Sequence, residues 1–83
     1  MTPDVTHVCS LPDYDLLVSF EDGEWRRFSV KPYLQFPAYQ PLMEPTRFMA
    51  AHVLNGTVAW PGDIDISPDT IYITGVRVIP SNS

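Results

Sequence analysis

The chain has 83 residues, 10 acidic against 5 basic side chains, a formal charge of −5, and nine prolines against four glycines. That length supports a single domain spanning residues 1–83, whose thin stability margin follows from burying only about 60–65% of the unfolded surface. A hydrophobic content of 45% excludes a disordered tail, and the acidic balance opposes non-specific binding to nucleic acid while favouring a basic partner.

Taken in chain order, Val5-Thr6-His7-Val8 alternates apolar with polar and predicts a first strand, followed by a turn at Ser10-Leu11-Pro12-Asp13. The runs from Tyr14 to Phe20 and from Glu24 to Val30 flank Glu21-Asp22-Gly23, a hairpin signal. A two-residue Asp22-Gly23 loop would leave Phe28 and Val30 on the face opposite Tyr14, Leu16 and Val18. A three-residue loop with left-handed Gly23 instead pairs Phe20 with Glu24 and Leu16 with Phe28, gathering Tyr14, Leu16, Val18, Phe20, Phe28 and Val30 on one face. Burial selects this second register, which leaves Leu17, Ser19, Trp25 and Arg27 together on the other face.

Pro32, Pro37, Pro41 and Pro45 forbid a long helix between Lys31 and Arg47, since each internal proline costs about 3 kcal/mol. One helical turn at Pro32-Tyr33-Leu34-Gln35 is expected, then an irregular crossover whose Phe36, Tyr39, Leu42 and Met43 cap the core. A second hairpin runs from Phe48 to Leu54 and from Thr57 to Trp60 around Asn55-Gly56, with a type I′ turn. Ile64-Asp65-Ile66 is a short strand, and Ser67-Pro68-Asp69 has the form of a helix start, with Ser67 capping a helix of a turn or two. Val76 to Ile79 is expected as a last edge strand and residues 80–83 as a frayed tail. The fold class is α+β: a small, mostly antiparallel β domain with two hairpins, a Pro-rich crossover and one or two short helical turns.

No apolar run reaches the roughly 18 residues of a membrane-spanning helix. The start Met1-Thr2-Pro3-Asp4 has neither a basic end nor an apolar segment after it, so no secretory signal is expected. The lone Cys9 cannot form an internal disulfide, and a cytoplasmic location is the expectation. Asp63, Asp65 and Asp69 form the densest acidic group. They lack the spacing of a calcium loop and read better as turn and helix-start charges. His7, His52 and Cys9 are too few and too scattered for a structural zinc site, and Cys9 reads as a small buried hydrophobe rather than a nucleophile. With no phosphate loop or nucleophile elbow, neither cofactor, metal nor catalytic residue is expected, and the chain is read as no enzyme. Trp25 with Leu17 and Arg27 is the one candidate partner-binding patch, because Trp and Arg concentrate binding energy at interfaces. Against it stands burial of Trp25 beneath the crossover or the second hairpin, the reading that sequence alone favours.

Three segments carry a family resemblance: Leu16 to Leu34, Leu42 to Phe48, and Gly56 to Tyr72. In order and spacing they resemble the bacterial domain of unknown function family 2442, over about residues 5–72. The most specific block is Trp60-Pro61-Gly62-Asp63-Ile64-Asp65-Ile66-Ser67-Pro68-Asp69, and Ser29 departs from the family by standing where relatives carry Asp. The resemblance implies a compact α+β domain without established catalytic residues. It also implies an antitoxin-like half of a toxin–antitoxin pair, whose partner is a small basic protein encoded by a neighbouring gene. A transcription-regulator-like protein acting on DNA only through a partner is the alternative, since this chain has no helix-turn-helix and no direct nucleic-acid or membrane contact is expected. On its own the chain is expected to be a monomer or a weak homodimer.

Overall fold

A computed structural model describes residues 2–79. Its first three strands, β1 (Val5–Leu11), β2 (Asp15–Phe20) and β3 (Trp25–Ser29), form an antiparallel meander. The first strand is longer than its alternation predicts. Ser10 and Leu11, expected in a turn, pair with Leu16 and Asp15. The reversal falls instead on a 3-10 turn at Pro12–Tyr14, because Pro12 has no N–H to give a ladder. The β2–β3 hairpin has the three-residue loop. Phe20 N–H donates to the Glu24 carbonyl at 2.9 Å, Gly23 sits at φ 86°, and Leu16 faces Phe28.

The crossover is more regular than its prolines suggest. Two 3-10 turns, Lys31–Gln35 and Pro37–Met43, lead into the single-turn helix α1 (Pro45–Phe48), each with a proline at its start. Of the residues expected to cap the core, Leu42 is buried and Tyr39 packs partly against it, but Phe36 and Met43 are 50% and 56% exposed. The three-residue period that carries Tyr39 and Leu42 inward turns Met43 away, and Phe36 lies in the extended link between the turns.

The second sheet is an antiparallel meander of β4 (His52–Leu54), β5 (Thr57–Trp60) and β6 (Ile64–Ile66). Phe48, expected to open β4, is instead the last residue of α1, where it is buried. Asn55 and Gly56 both adopt positive φ, 52° and 75°, as a type I′ turn requires. Helix α2 (Pro68–Thr74) begins at Ser67, whose Oγ accepts from the Asp69 N–H at 3.1 Å. It stops at Gly75 after two turns, with the Gly75 N–H donating to the Ile71 carbonyl. The last strand, β7 (Val76–Val78), pairs with β3, so the first sheet has the order β1-β2-β3-β7 with β7 at an edge. The tail expected to fray, 80–83, lies outside the described residues.

One core joins the two sheets. Val5, Leu16, Val18, Phe20 and Phe28 come from the first, Val58, Trp60 and Ile66 from the second, and Leu42, Phe48 and Ile71 from the connecting segments. Phe48 holds the three parts together: it stacks on Trp60 at 6.3 Å and meets the Tyr14 ring edge-on at 5.2 Å. Its carbonyl accepts from both Trp60 Nε1 at 3.0 Å and Ser10 Oγ at 3.1 Å. A buried carbonyl with two donors costs nothing in unmet hydrogen bonding.

Candidate functional site: the outer face of the first sheet

Side chains alternate along a strand, so inward burial of Leu16, Val18 and Phe28 forces Leu17, Ser19, Trp25 and Arg27 outward. The register arranges them in cross-strand rows. His7, Ser19, Trp25 and Val78 form one row, Cys9, Leu17, Arg27 and Val76 the next, and Leu11, Asp15 and Ser29 a third. Leu17 and Trp25 are half-buried, whereas Cys9, Arg27 and Val76 are exposed. Trp25 therefore lies outside the core, on the side facing away from Leu42, Phe48, Val58 and Trp60. The expectation that the crossover or second hairpin buries it is corrected, because both supply their apolar residues to the opposite face. Cys9, read as a buried hydrophobe, is also corrected to an exposed position on this same face.

Electrostatically the face is balanced. Arg27 Nε donates to Asp15 Oδ2 at 2.8 Å, and the Ser19 hydroxyl bonds Thr6 Oγ1 at 2.8 Å and lies 3.4 Å from His7 Nδ1. The other basic side chains are paired as well: Arg26 and Arg77 with Glu24, Lys31 with Asp13, and Arg47 with Glu44. The acidic excess therefore rests on Asp4, Glu21, Asp22, Asp63, Asp65 and Asp69, none of which is in an ion pair among the described residues. Arg26 points to the core side, where its guanidinium lies 4.4 Å from the Tyr72 ring centre and Nε donates to the Tyr72 carbonyl. The Tyr72 hydroxyl donates to Asp22 Oδ2 at 2.6 Å, tying α2 to the β2–β3 loop. That bond, joined by the Glu24 N–H, lowers the Asp22 pKa, and it raises that of Tyr72.

The other sequence candidates stay apart. Asp63 sits at φ 61° in the turn before β6, so it does not share a strand face with Asp65. Asp69 occupies the first turn of α2. His7 lies on β1 of one sheet and His52 on β4 of the other, where its Nδ1 is 3.1 Å from the Ala50 carbonyl. No three His, Cys, Asp or Glu side chains are grouped to hold a metal ion among the described residues. Sequence reasoning missed Val76 and Val78 as members of the outer face. Their alternation signals a strand, but only the tertiary fold sets it beside β3.

A two-sheet α+β domain whose first sheet turns one mixed polar and apolar face, with half-buried Leu17 and Trp25, away from the core is the class this geometry defines. The chain belongs to the family of proteins of unknown function DUF2442, whose pattern matches residues 5–75. No curated protein and no solved structure gives a significant match. No helix among the described residues is long and apolar enough to cross a membrane.

Proposed function

We propose that this chain is a small non-catalytic protein-binding module that engages its partner through the outer face of the first sheet, with Leu17, Trp25 and Arg27 at the centre. The observation that carries the reading is Trp25. It stands half-buried beside Leu17 and Val78 on a face that the core does not use. An aromatic anchor ringed by polar groups is the arrangement in which binding energy concentrates. The partner's charge follows from the ion-pair inventory: with its basic side chains already paired, a partner drawn by long-range attraction is basic. In its narrowest form the module is the antitoxin-like half of a two-gene pair, acting in the cytoplasm on a small basic protein encoded next to it. Coexpression tests this. A stable complex with the neighbouring gene product, and relief of any growth defect it causes, is the expected result; neither complex nor rescue discards the antitoxin reading.

A further inference from the structure

β3 continues through Ser29, but β7 accompanies it only as far as the Arg27–Val76 pair. Phe20 and Glu24 form a hydrogen-bonded pair, as do Tyr14 and Val30, so Arg26 and Phe28 turn their backbone groups toward β2. Trp25, Arg27 and Ser29 turn theirs the other way. Trp25 and Arg27 meet β7; the Ser29 N–H and C=O have no strand beside them among the described residues. They open onto a groove of about 660 Å³ between the end of β3, the Lys31–Gln35 turn and the start of β7. Its walls are Pro32, Tyr33, Phe36 and Val76, and the Arg27 side chain stands at the end nearest β7. Phe36 is half-exposed there, and its ring meets that of Tyr33 edge-on at 6.5 Å. Only the Nε of Arg27 is engaged, by Asp15, leaving the two terminal nitrogens of a 54% exposed side chain without partners among the described residues.

We propose that this groove binds the C-terminal end of an extended peptide, which adds antiparallel to β3 at Ser29, seats an apolar last residue against Tyr33 and Phe36, and places its terminal carboxylate on Arg27. The direction follows from the topology. A segment antiparallel to β3 runs the same way as β7, so its chain travels from Ser29 toward Arg27 and must end where Val76 already occupies the edge. A free C-terminus ends there with the charge that a guanidinium fork accepts. A parallel segment would bring an amine to the same place, where the terminal nitrogens of Arg27 offer it no acceptor and the Asp15 carboxylate, the other charge lining the groove, is already engaged by Arg27 Nε. Main-chain bonds at an open edge supply affinity, and the aromatic pocket and the carboxylate supply specificity. The groove lies at the end of the outer face, so the inference rests on reading the chain as a protein-binding module and adds a second contact to it.

The test uses fluorescein-labelled hexapeptides ending in Val, Leu, Ile or Phe, each as free acid and as C-terminal amide, titrated into the whole chain and followed by anisotropy. Binding of at least one free acid, weakened tenfold or more by amidation, is expected, with backbone amide shifts at Ser29 and Phe36. Arg27→Gln is expected to abolish the difference between acid and amide, and Phe36→Ala to weaken both forms. Equal binding of acid and amide, or no binding of any free acid at millimolar protein, overturns the proposal. Wild-type protein that retains the coexpressed partner but binds none of the peptides overturns the groove alone and leaves the sheet-face reading standing.

Discussion

The two tryptophans occupy opposite situations. Trp60, on β5, is 2% exposed, stacks on Phe48 and donates to the Phe48 carbonyl, so its ring and its N–H are both committed to the core. Trp25, on β3, faces out of the first sheet between Ser19 and Val78 and is only half-buried. The second sheet spends its large aromatic on packing, and its own outer face carries His52, Ala59 and Asp65 across the three strands. The first sheet closes its core with Phe20 and Phe28 and has an indole left over for the solvent side. A residue of the same type thus closes the core in one sheet and stands outside it in the other.

The largest effect that can break this contrast is on stability. Trp60→Ala is expected to cost about 3–5 kcal/mol in chemical denaturation, since a fully buried indole is removed and a cavity remains. Trp25→Ala is expected to cost about 1 kcal/mol and to leave the fold intact, in keeping with half-burial. Equal losses at the two sites would return Trp25 to the core. The next effect separates the loops. Gly56→Ala forces a residue with a Cβ into φ +75° and brings that Cβ within 2.6 Å of the Asp4 side chain, so a loss of about 1–2 kcal/mol is expected. Gly23→Ala meets nothing within 4 Å at φ +86° and should lose about 1 kcal/mol, from backbone strain alone.

A smaller effect depends on pH. The Tyr72–Asp22 bond lowers the Asp22 pKa from 3.8 and raises the Tyr72 pKa from 10.0. Its stabilising contribution is present above the unfolded carboxylate value and is lost as pH falls through the depressed folded one. On the alkaline side it is present below the unfolded phenol value and is lost as pH rises through the raised folded one. Tyr72→Phe should therefore lower the melting temperature slightly across neutral pH, and the difference should shrink below about pH 4 and above about pH 10. A difference that is independent of pH would remove this bond from the account. Smallest is the expected change in mass: light scattering should give a monomer for wild type, or a weak dimer that Trp25→Ala reduces to monomer.

Much of the first sheet was legible because one rule decides it. Slipping the hairpin by a residue would expose Phe28 and Val30, so burial selects the loop and with it the outward position of Leu17, Trp25 and Arg27. The caps at Ser67 and Asn55-Gly56 were legible for local reasons, a side-chain acceptor in one case and positive φ in the other. What escaped depends on distant segments. Nothing near Trp25 reveals that the crossover packs on the other face, and nothing in Val76 or Val78 names β3 as their neighbour. The exposure of Phe36 follows from a break between two 3-10 turns that composition cannot locate.

The central claim is that the outer face of the first sheet binds a partner while contributing little to the fold. Isothermal titration of the coexpressed neighbouring gene product against wild-type and Trp25→Ala protein, with a thermal melt of each, tests it most directly. The expected result is a folded variant whose affinity falls tenfold or more. A folded variant that binds the partner as tightly as wild type would contradict the claim.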